Sequence, residues 1–275
     1  MSQLTTSAAR IAVFDSGVGG LTVLGDIHTA LPGLDLRFLG DTARLPYGTK
    51  SAETVIRYAL QASAALLDGF AADALVVACN TASSCSIGPL RERFSMPVLG
   101  VIEPGALAAV QATRTGVIGV IGTERTVASR AYPEAIAALD PQAKVISLAT
   151  PLLVALAEEG WFHNDAARAA LVAYLQPWLA AEPLAKDLDT LVLGCTHYPV
   201  FKPLLAEVLR ELLGHEVRLV DSAEAIAADL ARRFPAASRG QGQIELLATD
   251  SLERFTRVGA LFFPVHKAHA RLVDL

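Results

Sequence analysis

Short continuous apolar runs, each ended by small or polar residues, alternate along this chain with stretches whose apolar positions recur at helical spacing. Arg10 to Phe14 is the first run, and it ends in Asp15-Ser16-Gly17-Val18-Gly19-Gly20. Leu21, Leu24 and Ile27 then fall on one helical face, and Leu31-Pro32-Gly33 stops that helix. Leu36 to Leu39 predicts a second strand, ending in Gly40-Asp41. A loop follows, then a candidate N-cap at Thr49 or Ser51 and an apolar stripe from Val55 to Leu67, closed by Gly69. The third strand, from Ala74, delivers Cys79-Asn80-Thr81, and Gly88-Pro89 predicts a kink or split in the helix behind it. Val98 to Ile102 is the fourth strand, ending in Glu103-Pro104-Gly105. Strands apolar at every position, separated by helices, predict a mostly parallel sheet covered on both faces.

The pattern then restarts. Gly116 to Gly122 ends in Thr123 as the first strand ends in Asp15, and Lys144 to Ala149 ends in Thr150-Pro151 as the second ends in Asp41. Asp189 to Gly194 ends in Cys195-Thr196-His197 as the third ends in Cys79. This repeat predicts an α/β fold of two similar domains, each a mostly parallel sheet flanked by helices. A pseudo-twofold axis would relate them, with the active site between. The expected boundaries are 1–102 plus 215–275 for the first domain and 103–214 for the second. The last segment contributes strands at Val217–Val220 and Ile244–Ala248 and helices near Ala223–Phe234 and Leu252–Phe262. It has no counterpart in the second half, so all of it is expected to rejoin the first. Residues 235–243 have the composition of a surface loop.

Composition narrows the function classes. Of 275 residues, 52% are hydrophobic and only 19% charged, enough to bury a sizeable core. The net charge is −5 with no run of lysine or arginine, which argues against nucleic acid as a partner. Apolar runs are too short for a membrane span. The first ten residues lack the apolar region of a secretory signal, and three cysteines suit reduced thiols rather than a disulfide scaffold. A cytoplasmic protein is expected.

Ligands of open α/β sheets bind outside the carboxyl ends of the strands. Asp15, Ser16, Tyr47, Cys79, Asn80, Thr81, Thr123, Cys195, Thr196 and His197 all lie at or near such ends. If the halves face each other, Cys79 and Cys195 approach one cleft from opposite sides. Helix N-termini there offer N–H groups to a carboxylate, and the same field would lower a thiol pKa from about 8.5. Opposed thiols suit inversion of a carbon centre: one takes a proton from an acidified C–H, and the other returns one to the opposite face.

Blander readings compete. A cysteine is often a small buried hydrophobe, and Cys85, inside a helix and without a polar strand-end context, is read that way. His197 could be a loop histidine, although its place two residues after Cys195 favours acid/base support. Asp15 makes good turn chemistry at the least. Gly17-Val18-Gly19-Gly20 matches a dinucleotide fingerprint poorly, because Thr22 holds the third glycine position. A metal held by Cys79, Cys195 and His197 is the main rival, without metal-ligand spacing or an evident fourth ligand. A Cys–His hydrolase nucleophile would leave the second cysteine without a purpose.

With these residues in view, the sequence resembles the glutamate racemases of the aspartate/glutamate racemase superfamily. The resemblance rests on Phe14-Asp15-Ser16-Gly17-Val18-Gly19-Gly20, Gly40-Asp41-Thr42-Ala43-Arg44-Leu45-Pro46-Tyr47-Gly48, Ala78-Cys79-Asn80-Thr81 and Leu193-Gly194-Cys195-Thr196-His197-Tyr198-Pro199, with Val120-Ile121-Gly122-Thr123 between them. It implies Cys79 and Cys195 as opposed catalytic bases, assisted by Asp15 and His197 respectively. It also implies that Asp15, Ser16, Tyr47, Gly48, Asn80, Thr81, Thr123, Thr196 and His197 bind substrate, and that Glu158 lies beside the second catalytic side. Implied further are glutamate as substrate, no cofactor and no metal, D-glutamate for peptidoglycan, and a homodimer. The sequence departs from the family at Thr150-Pro151-Leu152-Leu153-Val154-Ala155, where a cysteine usually precedes the proline.

Overall fold

The computed structural model describes residues 8–263 and 269–275; the polar stretch 1–7 lies outside them. The first half opens with β1 (Arg10–Asp15), α1 (Leu21–Ala30), β2 (Asp35–Gly40), α2 (Ala52–Leu67), β3 (Ala74–Val77), α3 (Asn80–Arg93) and β4 (Val98–Gly100). After α4 (Ile102–Ala112) come β5 (Val117–Gly122), α5 (Glu124–Ser129), α6 (Ala131–Leu139) and β6 (Lys144–Ala149). Next are α7 (Leu152–Glu158), α8 (Asp165–Ala181), β7 (Thr190–Gly194), α9 (Lys202–Leu213) and β8 (Arg218–Asp221). The chain ends with α10 (Ser222–Arg233), β9 (Ile244–Ala248), α11 (Leu252–Gly259) and β10 (His269–Leu272).

Two sheets result. One has the order β10-β9-β2-β1-β3-β4, the other β6-β5-β7-β8, and the pairs within them are parallel. The order β2-β1-β3-β4 recurs as β6-β5-β7-β8, and Ile11 pairs with Ala74 as Ile118 pairs with Thr190. The repeat therefore runs through four strands. This corrects the expected boundary at 215. The strand read at Val217–Val220 does not return to the first half: as β8 it pairs with β7, in the place β4 holds beside β3. Its Leu219 and Val220 align with Leu191 and Val192, extending a sheet already in position. The chain crosses back only afterwards, through α10, which packs against both α1 and α4; β9 and β10 then extend the six-stranded sheet.

The cores follow from the apolar runs. Leu21, Leu24 and Ile27 of α1 are fully buried with Ile226 and Leu230 of α10 on one face of the first sheet. Val55, Ala59 and Leu66 of α2 bury against the other face. At about 1.5–3 kcal/mol for each large side chain fully removed from water, such layers hold the strand ends in place. Ser51 is the N-cap of α2, accepting from the Thr54 N–H at 3.3 Å. Gly88-Pro89 does not divide α3, which runs unbroken from Asn80 to Arg93 with Pro89 inside it. Among the described residues no helix is long and apolar enough to cross a membrane.

Candidate active site

The carboxyl ends of β1 and β3 in one sheet and of β5 and β7 in the other open onto a cavity of about 270 Å³ between the halves. Ser16, Cys79, Asn80 and Thr81 line it from the first half, and Thr123, Cys195, Thr196 and His197 from the second. Tyr47 and Gly48 enter from the loop after β2, and Pro151, Val154, Ala155 and Glu158 from the start and inner face of α7. The segment that departs from the family pattern is thus part of the wall. Among the described residues no lysine or arginine lines the cavity, so an anion there would rely on hydroxyls and backbone N–H groups.

Cys79 is the N-cap of α3. Its sulfur accepts the Ala82 N–H at 3.4 Å, and its thiol donates to Ser16 Oγ at 3.3 Å. The expected lowering of its pKa is not what the site produces. Burial, and then the Asp15 carboxylate, push the Cys79 thiol up to about 12, against the hydrogen bonds it shares with Ser16 and Ala82. The helix N-terminus is outweighed by loss of water and by a nearby negative charge.

Asp15 is the one expected site residue that does not line the cavity. It is fully buried behind Ser16, with Oδ2 accepting the Gly17 N–H at 2.9 Å and Oδ1 without a partner among the described residues. Burial raises its pKa, opposed by His197 and by the N–H groups of Gly17, Gly20 and Ser16. Asp15 thus sits behind the cavity wall, where its charge bears on Cys79.

Cys195 Sγ lies 3.8 Å from His197 Nδ1, and His197 Nε2 lies 3.2 Å from Glu158 Oε1. Glu158 Oε2 accepts from Arg254 Nη2 at 2.7 Å. Burial opposes protonation of the ring, yet Cys195 and Glu158 together push the His197 pKa up to about 10. Both neighbours thus favour the protonated ring. The glycine loop after β1 serves this side: a Cβ on Gly19 would lie 2.4 Å from Thr196 Oγ1 and 2.5 Å from the His197 ring. Close packing against protein, rather than against a pyrophosphate, accounts for that glycine.

Polar contacts knit the halves together around the two sulfurs. Thr81 Oγ1 lies 2.9 Å from Thr123 Oγ1 and 3.3 Å from Thr126 Oγ1. The Tyr132 hydroxyl donates to Asn80 Oδ1 at 2.7 Å. At the mouth, the Arg125 N–H donates to Gly48 O at 3.0 Å. The Tyr47 hydroxyl donates to Asp41, away from the cavity, so its ring lines the wall while its polar end is engaged. Thr126, Tyr132 and Arg254 escaped the sequence reading; each lies inside a helix with nothing local to mark it. Among the described residues no three His, Cys, Asp or Glu side chains form a group that could hold a metal, so the metal reading lacks its ligand set.

A cavity lined by two opposed thiols, between two repeated parallel α/β halves, defines the class. The chain belongs to the Asp/Glu/Hydantoin racemase family, whose pattern matches residues 21–230. It is 48% identical, over 92% of each chain, to a protein named glutamate racemase from Geobacter metallireducens. Among solved structures it resembles glutamate racemase isoform RacE1 from Bacillus anthracis, with a TM-score of 0.88, 36% identity and 98% of each chain covered. It also resembles the Francisella tularensis glutamate racemase in complex with D-glutamate, with a TM-score of 0.85, 30% identity and 98% of each chain covered.

Proposed function

We propose that the protein interconverts L- and D-glutamate, with Cys79 and Cys195 as the two bases. The observation that carries this reading is that two thiols from separate sheets line one cavity of about 270 Å³. In either direction one sulfur, as thiolate, takes the Cα proton. The opposite thiol gives its proton to the other face, and the two sulfurs end with their protonation states exchanged. The step balances without a redox change: one Cα–H bond and one S–H bond break, and one of each forms.

The surroundings suit the two sulfurs to these roles. Cys79, with its pKa raised to about 12, holds a proton to deliver, and Asp15 behind it disfavours a lasting thiolate. On the other side, cationic His197 lies beside the Cys195 sulfur and offsets negative charge developing there. Ser16, Asn80, Thr81, Thr123 and Thr196 supply hydroxyl, amide and N–H groups for the carboxylates and amino group, with Tyr47 and Gly48 closing the mouth. Glutamate as the substrate is supported by the names of the relatives. The family resemblance further supports a cytoplasmic homodimer supplying D-glutamate to peptidoglycan synthesis.

The test is incubation with L-glutamate in deuterated water without added cofactor. Deuterium at Cα of newly formed D-glutamate, with little in recovered L-glutamate, is expected of two distinct bases. Rapid exchange into L-glutamate without inversion would sink the two-sided mechanism.

A further inference from the structure

We infer that Arg254 is a positioning residue for the Cys195 side of the reaction, holding Glu158 so that Glu158 holds His197 against the sulfur. The inference rests on the two-thiol reading above and adds a residue to it.

Glu158 ends α7 in the second half, whereas Arg254 lies on α11, whose Phe255 and Val258 are buried in the core of the first half. Their 2.7 Å ion pair therefore spans the two halves. The two Glu158 oxygens are divided, one accepting from Arg254 and the other facing His197 Nε2 at 3.2 Å. With its side chain only 12% exposed, Glu158 cannot replace a lost partner freely with water, whereas Arg254 is 49% exposed and keeps its own hydration. Burial works against the Glu158 charge; His197 and Arg254 overcome it and hold the carboxyl below its ordinary range.

The same segment touches the histidine directly. Phe262, in the turn after α11, stands edge-on to the His197 ring at 5.3 Å and 83°. Arg254 itself is set by its helix start: Ser251, at φ 43°, accepts the Arg254 N–H at 3.4 Å, and the Asp250 N–H donates to Thr42 Oγ1 at 2.8 Å. The first half thus grips the acid/base pair of the second at Glu158 and at His197. Among the described residues Cys79 shows no such tether; its hydrogen-bond partners are Ser16 and Ala82 of its own half.

A one-sided tether has a one-sided kinetic signature. Enantiomers have equal free energy in water, so kcat/KM falls equally in both directions whatever is damaged. The isotope effects need not move together. If proton transfer at Cys195 is slowed, cleavage by Cys195 becomes more fully rate-limiting for one enantiomer. For the other enantiomer cleavage by Cys79 becomes reversible, and its substrate isotope effect shrinks.

The experiment compares wild type, Arg254→Met and Arg254→Lys using α-deuterated D- and L-glutamate, with thermal melts alongside. Arg254→Met is expected to lower kcat/KM roughly tenfold, the low end for a half-exposed charged hydrogen bond. It should also shift the two isotope effects in opposite directions, with partial recovery in Arg254→Lys. Equal shifts, or none, in a folded Arg254→Met would overturn the assignment. If Arg254→Met does not fold, Arg254→Lys keeps the cation without the fork and must still show the opposed shift; its absence overturns the inference. A wild type that does not racemise glutamate would instead remove the underlying reading.

Discussion

Gly19 and His197, at the ends of strands in different sheets, approach so closely that there is no room for a methyl group between them. A Cβ at Gly19 would sit 2.5 Å from His197 Cε1 and Nδ1 and 2.4 Å from Thr196 Oγ1. The ring cannot simply yield, because Glu158 and Phe262 also contact it. Gly19→Ala should therefore displace His197 from Cys195 Sγ. Overpacking of this kind costs about 1–3 kcal/mol in stability. Activity should fall by at least about tenfold, since general acid/base assistance depends on hydrogen-bond geometry. Urea titration and steady-state kinetics in both directions measure the two effects. Near-normal turnover would show that the His197 position is not critical.

The three cysteines should separate cleanly. Cys79→Ala and Cys195→Ala each remove one of the two proposed bases, and each should lower racemisation by roughly 10³-fold or more. Cys85 is half-buried within α3, its thiol donating weakly to Thr81 O and Ala82 O at 3.6 and 3.9 Å. Cys85→Ala should leave turnover within about twofold, as expected of a small hydrophobe. Measurable turnover by either of the first two, close to that of Cys85→Ala, would dismantle the two-thiol assignment.

Stability should carry a signature of His197 at alkaline pH. Its pKa rises from an ordinary value near 6.5 to about 10 in the folded chain. A raised folded pKa means that the stabilisation is fully present below about 6.5. It declines as pH rises and is gone above about 10. The difference in unfolding free energy between wild type and His197→Gln should therefore shrink steadily from pH 6 to pH 10. Taking the difference cancels the titration of distant groups. A difference independent of pH would mean that His197 is not held cationic by Cys195 and Glu158.

The parts of this site that could be read in the sequence are those written into single strand ends. Cys79, Cys195 and His197 follow apolar runs directly, so the device delivering them is local. Tyr47-Gly48 lie seven residues beyond β2, and their place at the site was legible only through the family resemblance. What escaped reading is made by contacts across the chain. Tyr132 reaches Asn80 from 52 residues away, and Arg254 reaches Glu158 from 96. Neither residue interrupts the pattern of its helix. The proton affinity of Cys79 was misread because a helix N-terminus is visible in sequence, whereas burial beside Asp15 is not. β8 was misplaced because a short strand declares its sheet only through its partner, Leu191 against Leu219.

Tyr132 offers a test of how far the pairing between halves matters to the site. It is buried at 1% exposure on α6, and its hydroxyl donates to Asn80 Oδ1 at 2.7 Å. Asn80 directly follows Cys79, and its Nδ2 lies 3.5 Å from Ser222 Oγ. Tyr132→Phe preserves the ring and leaves a buried amide oxygen without its donor, which costs about 1–3 kcal/mol. If Asn80 helps bind substrate, KM should rise severalfold in Tyr132→Phe while kcat changes less, because the sulfurs keep their own hydrogen bonds. Removal of the other partner by Ser222→Ala acts on the same amide, so the effects of the two substitutions on KM should be non-additive in the double variant. Strict additivity would mean that Tyr132 stabilises the join between the halves without orienting Asn80.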